Sequence, residues 1–197
     1  MDTQIIQRAK AGDTAAFETL VRQYRTRVYN TILSLCQDPA EAEDLSQDTF
    51  VDAWLHLSKF EERSQFGTWL YRIAVNKALG FLRKRKVRDG FRRLLLHQTK
   101  GHADFVHPGI KLENRETATR LFKALDTLPE RQKTAFTLFH LEGLSYKEIS
   151  EVMESTEKAV EGLLLRASDG MRKRLGNFYR ETGSFALPAL TGPGLPL

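Results

Sequence analysis

Cysteine is nearly missing from this 197-residue chain: Cys36 is its only one, so no internal disulfide can form. It sits in an apolar run with Ile32, Leu33 and Leu35, the setting of a small core residue. Long apolar runs are missing too, and none approaches the roughly 20 residues of a membrane span. The N-terminus, Met1-Asp2-Thr3-Gln4, has neither the basic start nor the apolar stretch of a secretory leader, which points to the cytoplasm. Strand-like alternation and internal repeats are absent. His97, His102 and His107 have no cysteine near them, and their five-residue spacing fits no zinc pattern. Neither a metal nor a cofactor is expected.

A uniform charge is also lacking, and the distribution is informative. The net charge of +5 divides into −3 over residues 1–60, +8 over 61–100 and zero over 101–197. One segment therefore supplies the whole excess, as a polyanion site would, rather than general basicity. The acidic first third suggests a second, different partner.

What the chain does have is helical periodicity, in two blocks. Asp13 is a plausible N-cap for a helix carrying Phe17, Leu20, Val21, Tyr24, Val28, Ile32 and Cys36. Asp38-Pro39-Ala40-Glu41 combines an N-cap, a proline at the first helical position and an acid at the third. In the helix it starts, Leu45, Val51, Trp54 and Leu55 are expected to face a core, leaving Asp44, Gln47, Asp48 and Asp52 outside. That acidic face reads either as a solvated surface or as a partner site.

Residues 58–65 break the period and form a loop. Phe66 to Lys86 then spells a helix in which aromatics and cations share the surface. Trp69, Ile73 and Asn76 fall on one stripe, Leu70, Ala74, Lys77 and Phe81 on another, and Arg83-Lys84-Arg85-Lys86 ends the run. A helix dipole favours one or two terminal cations, not four. Cations that meet phosphates and aromatic faces that stack on unpaired bases would explain the mixture. A core helix followed by a solvated basic linker would explain it equally well.

Residues 88–115 have poor periodicity and scattered Gly, His and Asp, which predicts a linker with one short amphipathic turn at 91–96. From Glu116 the pattern resumes with Leu121, Phe122, Leu125 and Leu128. Pro129-Glu130 restarts a helix, and Gly143 stops it. Ser145-Tyr146-Lys147-Glu148 is a capping box, and a longer helix follows from Thr156. Two helices joined this tightly, the second ending in Arg172-Lys173-Arg174, suit a helix-turn-helix, although a plain helical hairpin has the same pattern. The Gly- and Pro-containing end is expected to be disordered. The predicted architecture is all-α. Residues 1–87 and 116–176 form two small domains, 88–115 a flexible linker and 177–197 a tail.

Four runs in order resemble one family: Asp44 to Trp54, Phe66 to Asn76, Leu125 to Gln132 and Gly143 to Ser150. Together they are similar to the extracytoplasmic-function (ECF) sigma factors of the bacterial sigma-70 family, over roughly residues 8–175. The resemblance implies a transcription initiation factor with no catalytic chemistry of its own. In it, Asp44, Gln47, Asp48, Phe50 and Trp54 would dock on the β′ coiled coil of core RNA polymerase. The loop before the aromatic-basic helix and that helix itself would open the −10 element and hold a flipped base. This assigns Lys59, Phe60, Arg63, Ser64, Trp69, Tyr71, Arg72, Asn76 and Lys77 to DNA, with Arg83 and Lys84 beyond them. The helix-turn-helix would read the −35 element and touch the β flap, through Ser145, Tyr146, Ser155, Thr156, Lys158, Glu161 and Arg166. An anti-sigma factor is an implied partner.

Two departures stand out. Family members often carry Lys, Ser and Arg early on the recognition helix, where this chain has Glu161-Gly162-Leu163. Weight therefore shifts toward Ser155, Thr156 and Lys158. The basic linker likewise departs from an acidic, nucleic-acid-mimicking role. A helix-turn-helix regulator acting without polymerase is the alternative, but it leaves the acidic face and the aromatic-basic helix unexplained. An RNA-binding or adaptor protein built on the same basic patch is a third.

Overall fold

The computed structural model describes residues 2–96 and 115–182, and among them there is no strand. Eight α-helices and one 3-10 turn occur in the order α1 (Asp2–Lys10), α2 (Thr14–Cys36), α3 (Pro39–His56), the turn Leu57–Lys59, α4 (Phe66–Leu96), α5 (Arg115–Asp126), α6 (Glu130–His140), α7 (Tyr146–Val152) and α8 (Glu157–Thr182).

The helix boundaries follow local chemistry. Asp13 accepts from the Ala16 amide at 3.0 Å, and Asp38 accepts from the Ala40 and Glu41 amides with Pro39 at the first position. Each satisfies donors that a helix start leaves unpaired. α2 ends where Gln37 turns left-handed (φ 54) and donates to the Leu33 carbonyl. α6 is followed by Gly143 at φ +69, a conformation that glycine adopts without a steric penalty. Ser145 and Glu148 complete the expected capping box of α7.

α4 does not stop where the pattern loses its period. It continues to Leu96, through residues predicted as linker. Arg and Leu are good helix formers, and extending an existing helix avoids the cost of a new nucleus. The predicted tail likewise begins inside α8, which runs to Thr182. The rest of the linker, including His97, His102 and His107, lies outside the described residues, as do 183–197.

α2 is the central element and touches α1, α3, α4 and α6. Val28, Ile32 and Leu33 are fully buried, facing Leu70, Ala74 and Ala78 of α4 and Ala42 and Ala53 of α3 in one cluster. Cys36 is buried there as well. The same cluster runs without a break into Leu138 and Phe139 of α6, Ile149 and Val152 of α7 and Leu164 of α8. The two helical halves are thus docked on a shared core. A smaller cluster closes α5 on α6 and α8 through Phe122, Leu125, Leu128, Phe136, Ala167 and Met171. There Gly170 permits close approach, since a Cβ would stand 2.8 Å from Leu128 Cδ2. Two polar links reinforce the docking: Gln37 donates to the Phe122 carbonyl, and the buried Lys133, paired with Asp126 at 2.7 Å, also reaches the Leu35 carbonyl.

α3 corrects the sequence reading. Leu45 and Trp54 are half-buried, Trp54 against Phe17 with ring centroids 4.9 Å apart, but Val51 and Leu55 are 56% and 64% exposed. The buried stripe of α3 is instead Ala42, Ser46, Thr49 and Ala53. These small side chains admit α2 and α4 closely and turn the larger apolar residues outward.

Candidate nucleic-acid and partner interfaces

Three surfaces emerge from this arrangement. The first lies on α4. Trp69, Arg72, Asn76, Arg83 and Val87 recur at intervals of three, four or seven residues and so share one face. Arg72, Asn76, Arg83 and Val87 are exposed, and Trp69 is half-buried. Beneath Trp69 is an aromatic bed: Phe60 at 5.0 Å, Phe66 at 5.7 Å, and Tyr24 edge-on to Phe66 at 5.4 Å. Lys84 and Lys86 are also exposed. Arg85 differs, because its guanidinium donates to the Cys36 carbonyl at 3.0 Å and stacks over Phe81.

The 60–65 loop borders this face. Phe60 is buried and anchors it, whereas Lys59 and Arg63 are exposed and Ser64 is half-buried. Arg63 pairs with its neighbour Glu61 at 2.9 Å, on the open surface. Between the loop, α1 and α2 lies a pocket of about 250 Å³ walled by Thr3, Ile6, Tyr24, Phe60, Glu62 and Phe66, among others. Exposed cations over an aromatic bed beside a pocket can hold a phosphate chain and stack a base.

The second surface is the outward side of α3, where Asp44, Gln47, Asp48, Val51 and Leu55 all stand exposed. Phe50 and Trp54 are half-buried at its edge. Lys77 of α4 leans toward it, with Nζ 2.7 Å from Asp52 and 4.0 Å from Asp48. Adjacent exposed apolar side chains ringed by carboxylates are a composition that protein-docking patches share. Sequence periodicity missed Val51 and Leu55 as surface residues.

The third surface is α7–α8. Ser145 is exposed, with its side chain engaged in the cap, and Tyr146 packs against Phe139. Thr156 caps α8 by accepting from the Ala159 amide, and Ser155 accepts from Arg131 at 3.3 Å. Lys158, Glu161, Leu165 and Arg166 are exposed along the start of α8.

Tyr71 belongs to none of these surfaces. It is buried, and its hydroxyl donates to Glu142 at 2.5 Å. Glu142, also buried, accepts from Thr31 at 2.7 Å and from Arg27 Nε at 2.9 Å, while Arg27 Nη2 donates to the Glu142 carbonyl. Burial, then the nearby carboxylate, pushes the Tyr71 phenol far above its ordinary range. No motif flagged Glu142, whose partners all come from the other half of the chain. Among the described residues, no cluster of His, Cys, Asp and Glu is placed to hold a metal, and no helix is long and apolar enough to cross a membrane.

Comparison with known proteins matches both helical halves to one family. Residues 20–88 match the model of Sigma-70 region 2, and residues 118–169 that of Sigma-70, region 4. The RNA polymerase sigma-H factor of Pseudomonas aeruginosa is 33% identical over 91% of this chain and 96% of its own. The ECF RNA polymerase sigma-E factor of Haemophilus influenzae is 31% identical over 88% and 95%. Among solved structures, CnrH in complex with the cytosolic domain of CnrY superposes with a TM-score of 0.67 at 26% identity, covering 89% of this chain and 97% of that one. The sigma factor RpoE in complex with the anti-sigma factor NepR, from Bartonella quintana, shares the fold, with a TM-score of 0.69 at 24% identity over 81% and 96%.

Proposed function

The chain belongs to the ECF sigma factors of the sigma-70 family, and on that premise we propose how its surfaces divide the work of promoter recognition. Sigma factors are transcription regulators rather than enzymes. This one binds core RNA polymerase, recognises −10 and −35 elements and starts transcription. The outward face of α3 docks on the β′ coiled coil, with Asp44, Gln47 and Asp48 supplying charge and Val51 and Leu55 the apolar contact. The α4 face, with Arg72, Asn76 and Arg83, takes the −10 strand, and the 60–65 loop receives an unstacked base. α7–α8 reads the −35 duplex and touches the β flap. The work is cytoplasmic and needs no cofactor. The observation that carries this reading is the adjacency of the two faces on α3 and α4. It hands the strand-holding helix to polymerase on the same rigid unit.

The docked state is not the promoter-bound one. α7 lies against α4, whereas the centres of the two elements are about 25 base pairs apart, or roughly 85 Å at 3.4 Å each. The halves must separate to reach both. The relatives RpoE and CnrH were solved with the anti-sigma factor NepR and with CnrY, and a comparable anti-sigma factor holds this chain until it is needed.

The test is transcription by core polymerase plus the purified protein on templates randomised at both elements. Enrichment of a −10 and a −35 sequence, with co-purification of core, is the expected result. Leu55→Asp should abolish core association while shifting stability by less than about 0.5 kcal/mol, as exposed substitutions usually do. Duplex binding without any polymerase-dependent transcript would overturn the reading in favour of a polymerase-independent regulator.

A further inference from the structure

α1 lies before the region 2 match, which starts at residue 20, yet it grips the loop that borders the α4 face. Ile6 and Ala9 are buried and fix the helix on the core. From that base Lys10 Nζ reaches the Phe60 carbonyl at 2.7 Å and Glu62 Oε1 at 2.9 Å. Gln7 Nε2 donates to the same oxygen at 2.6 Å. The Lys10 ammonium also stands 5.9 Å from the centre of the Phe60 ring. Glu62 itself is left-handed, at φ 59. A glutamate rarely adopts that backbone unless something holds it there.

Exposed ion pairs of this kind contribute little to overall stability, so two bonds converging on the strained Glu62 and a third to the Phe60 carbonyl matter for geometry. They fix the segment that walls the 250 Å³ pocket, where Glu62 and Phe60 from the loop face Thr3 and Ile6 from α1. Resting on the function proposed above, we infer that Lys10 and Gln7 are positioning residues for −10 strand capture. They hold the 60–65 loop in its base-receiving shape through Glu62 and the Phe60 carbonyl.

The test uses the full chain with core polymerase on a library randomised at the −10 element beside a fixed −35. Lys10→Met keeps the stem over Phe60 and removes the ammonium. A shift of about 1 Å in a positioning group can cost up to about 100-fold in rate, so transcription from duplex templates should fall about tenfold or more. Base preference at one or more −10 positions should flatten. Lys10→Arg should retain the wild-type profile. Core association, −35 preference and melting temperature should stay as in wild type for both. Glu62→Gly, which removes the carboxylate while relieving the backbone, should flatten the same positions even if Lys10→Met fails to fold. An unchanged −10 profile in a folded variant, or an equal loss at both elements together with early melting, overturns the inference. Wild type is measured first: if it directs no transcript, the function proposed above falls and the inference with it.

Discussion

The Tyr71 hydroxyl donates to the Glu142 carboxylate at 2.5 Å across 71 residues of sequence, joining the second turn of α4 to the turn before α7. Thr31 and Arg27 of α2 complete the ring around that carboxylate. One acid with three side-chain partners thereby joins the two helical halves, alongside the Gln37 and Lys133 links and over a continuous apolar cluster. Glu142→Ala strips the acceptor from two hydroxyls, and a buried donor left unpaired costs about 1–3 kcal/mol. Small-angle scattering should show the variant expanded and chemical denaturation should show it weakened. Since the docked state cannot span both promoter elements, its promoter binding without an anti-sigma factor should be at least as tight as that of wild type. An unchanged radius of gyration would mean that the docking does not depend on Glu142.

The same bond has an alkaline signature. Burial and Glu142 raise the Tyr71 phenol far above its ordinary value of 10.0, so the unfolded chain ionises first. The stabilisation is then fully present below pH 10 and is lost as pH rises beyond it toward the raised folded value. Tyr71→Phe cannot ionise. The advantage of wild type over this variant, read from urea midpoints, should therefore hold from neutrality to about pH 9 and shrink toward about pH 11. A constant difference across that window would show that Tyr71 ionises alike in both states.

Much of this frame was legible beforehand, and what escaped shares a cause. Asp13, Asp38 and Ser145 are capping residues whose partners lie two or three positions away, so composition and spacing suffice to find them. Glu142 has its partners in α2 and α4, and no local pattern marks a side chain that is completed from so far along the chain. Val51 and Leu55 misled for the opposite reason. Apolar character at helical spacing signals burial, but here the face is left open and small residues form the inner stripe. Tyr71 stands beside Arg72 in the motif, yet a step of one residue around α4 carries it from the exposed Arg72 face to the core.

The cations ending the Arg83–Lys86 run should separate into two kinds. Arg83, Lys84 and Lys86 are exposed, whereas Arg85 is committed to the Cys36 carbonyl. Replacing the exposed three with Ala removes up to three phosphate contacts, so the salt slope of single-strand binding should fall by about 2, at roughly 0.7 per contact. Arg85→Ala should instead lower the melting temperature and leave that slope nearly as it was. Equal slopes for wild type and the triple variant would make the run a solvated surface.

Glu161 tests how α8 meets DNA. It is exposed one turn beyond Lys158 and one turn before Leu165, on the open side of the helix. Positions just past the start of a recognition helix reach base edges in the major groove, and a carboxylate there accepts from the amino group of cytosine. Guanine and thymine present no donor on that edge, and adenine sets its amino group beside the repelling N7 acceptor, so these bases should be disfavoured by about 1–3 kcal/mol at one −35 position. Facing the backbone instead, the same charge would repel phosphate whatever the sequence. A −35 library transcribed by wild type and by Glu161→Gln separates the two. Relaxed preference at a single position is the expected result. Uniformly higher output with an identical profile would place Glu161 over the phosphates. No change at all would remove it from the interface and leave Lys158 and Arg166 as the cations of α8 to examine on the duplex.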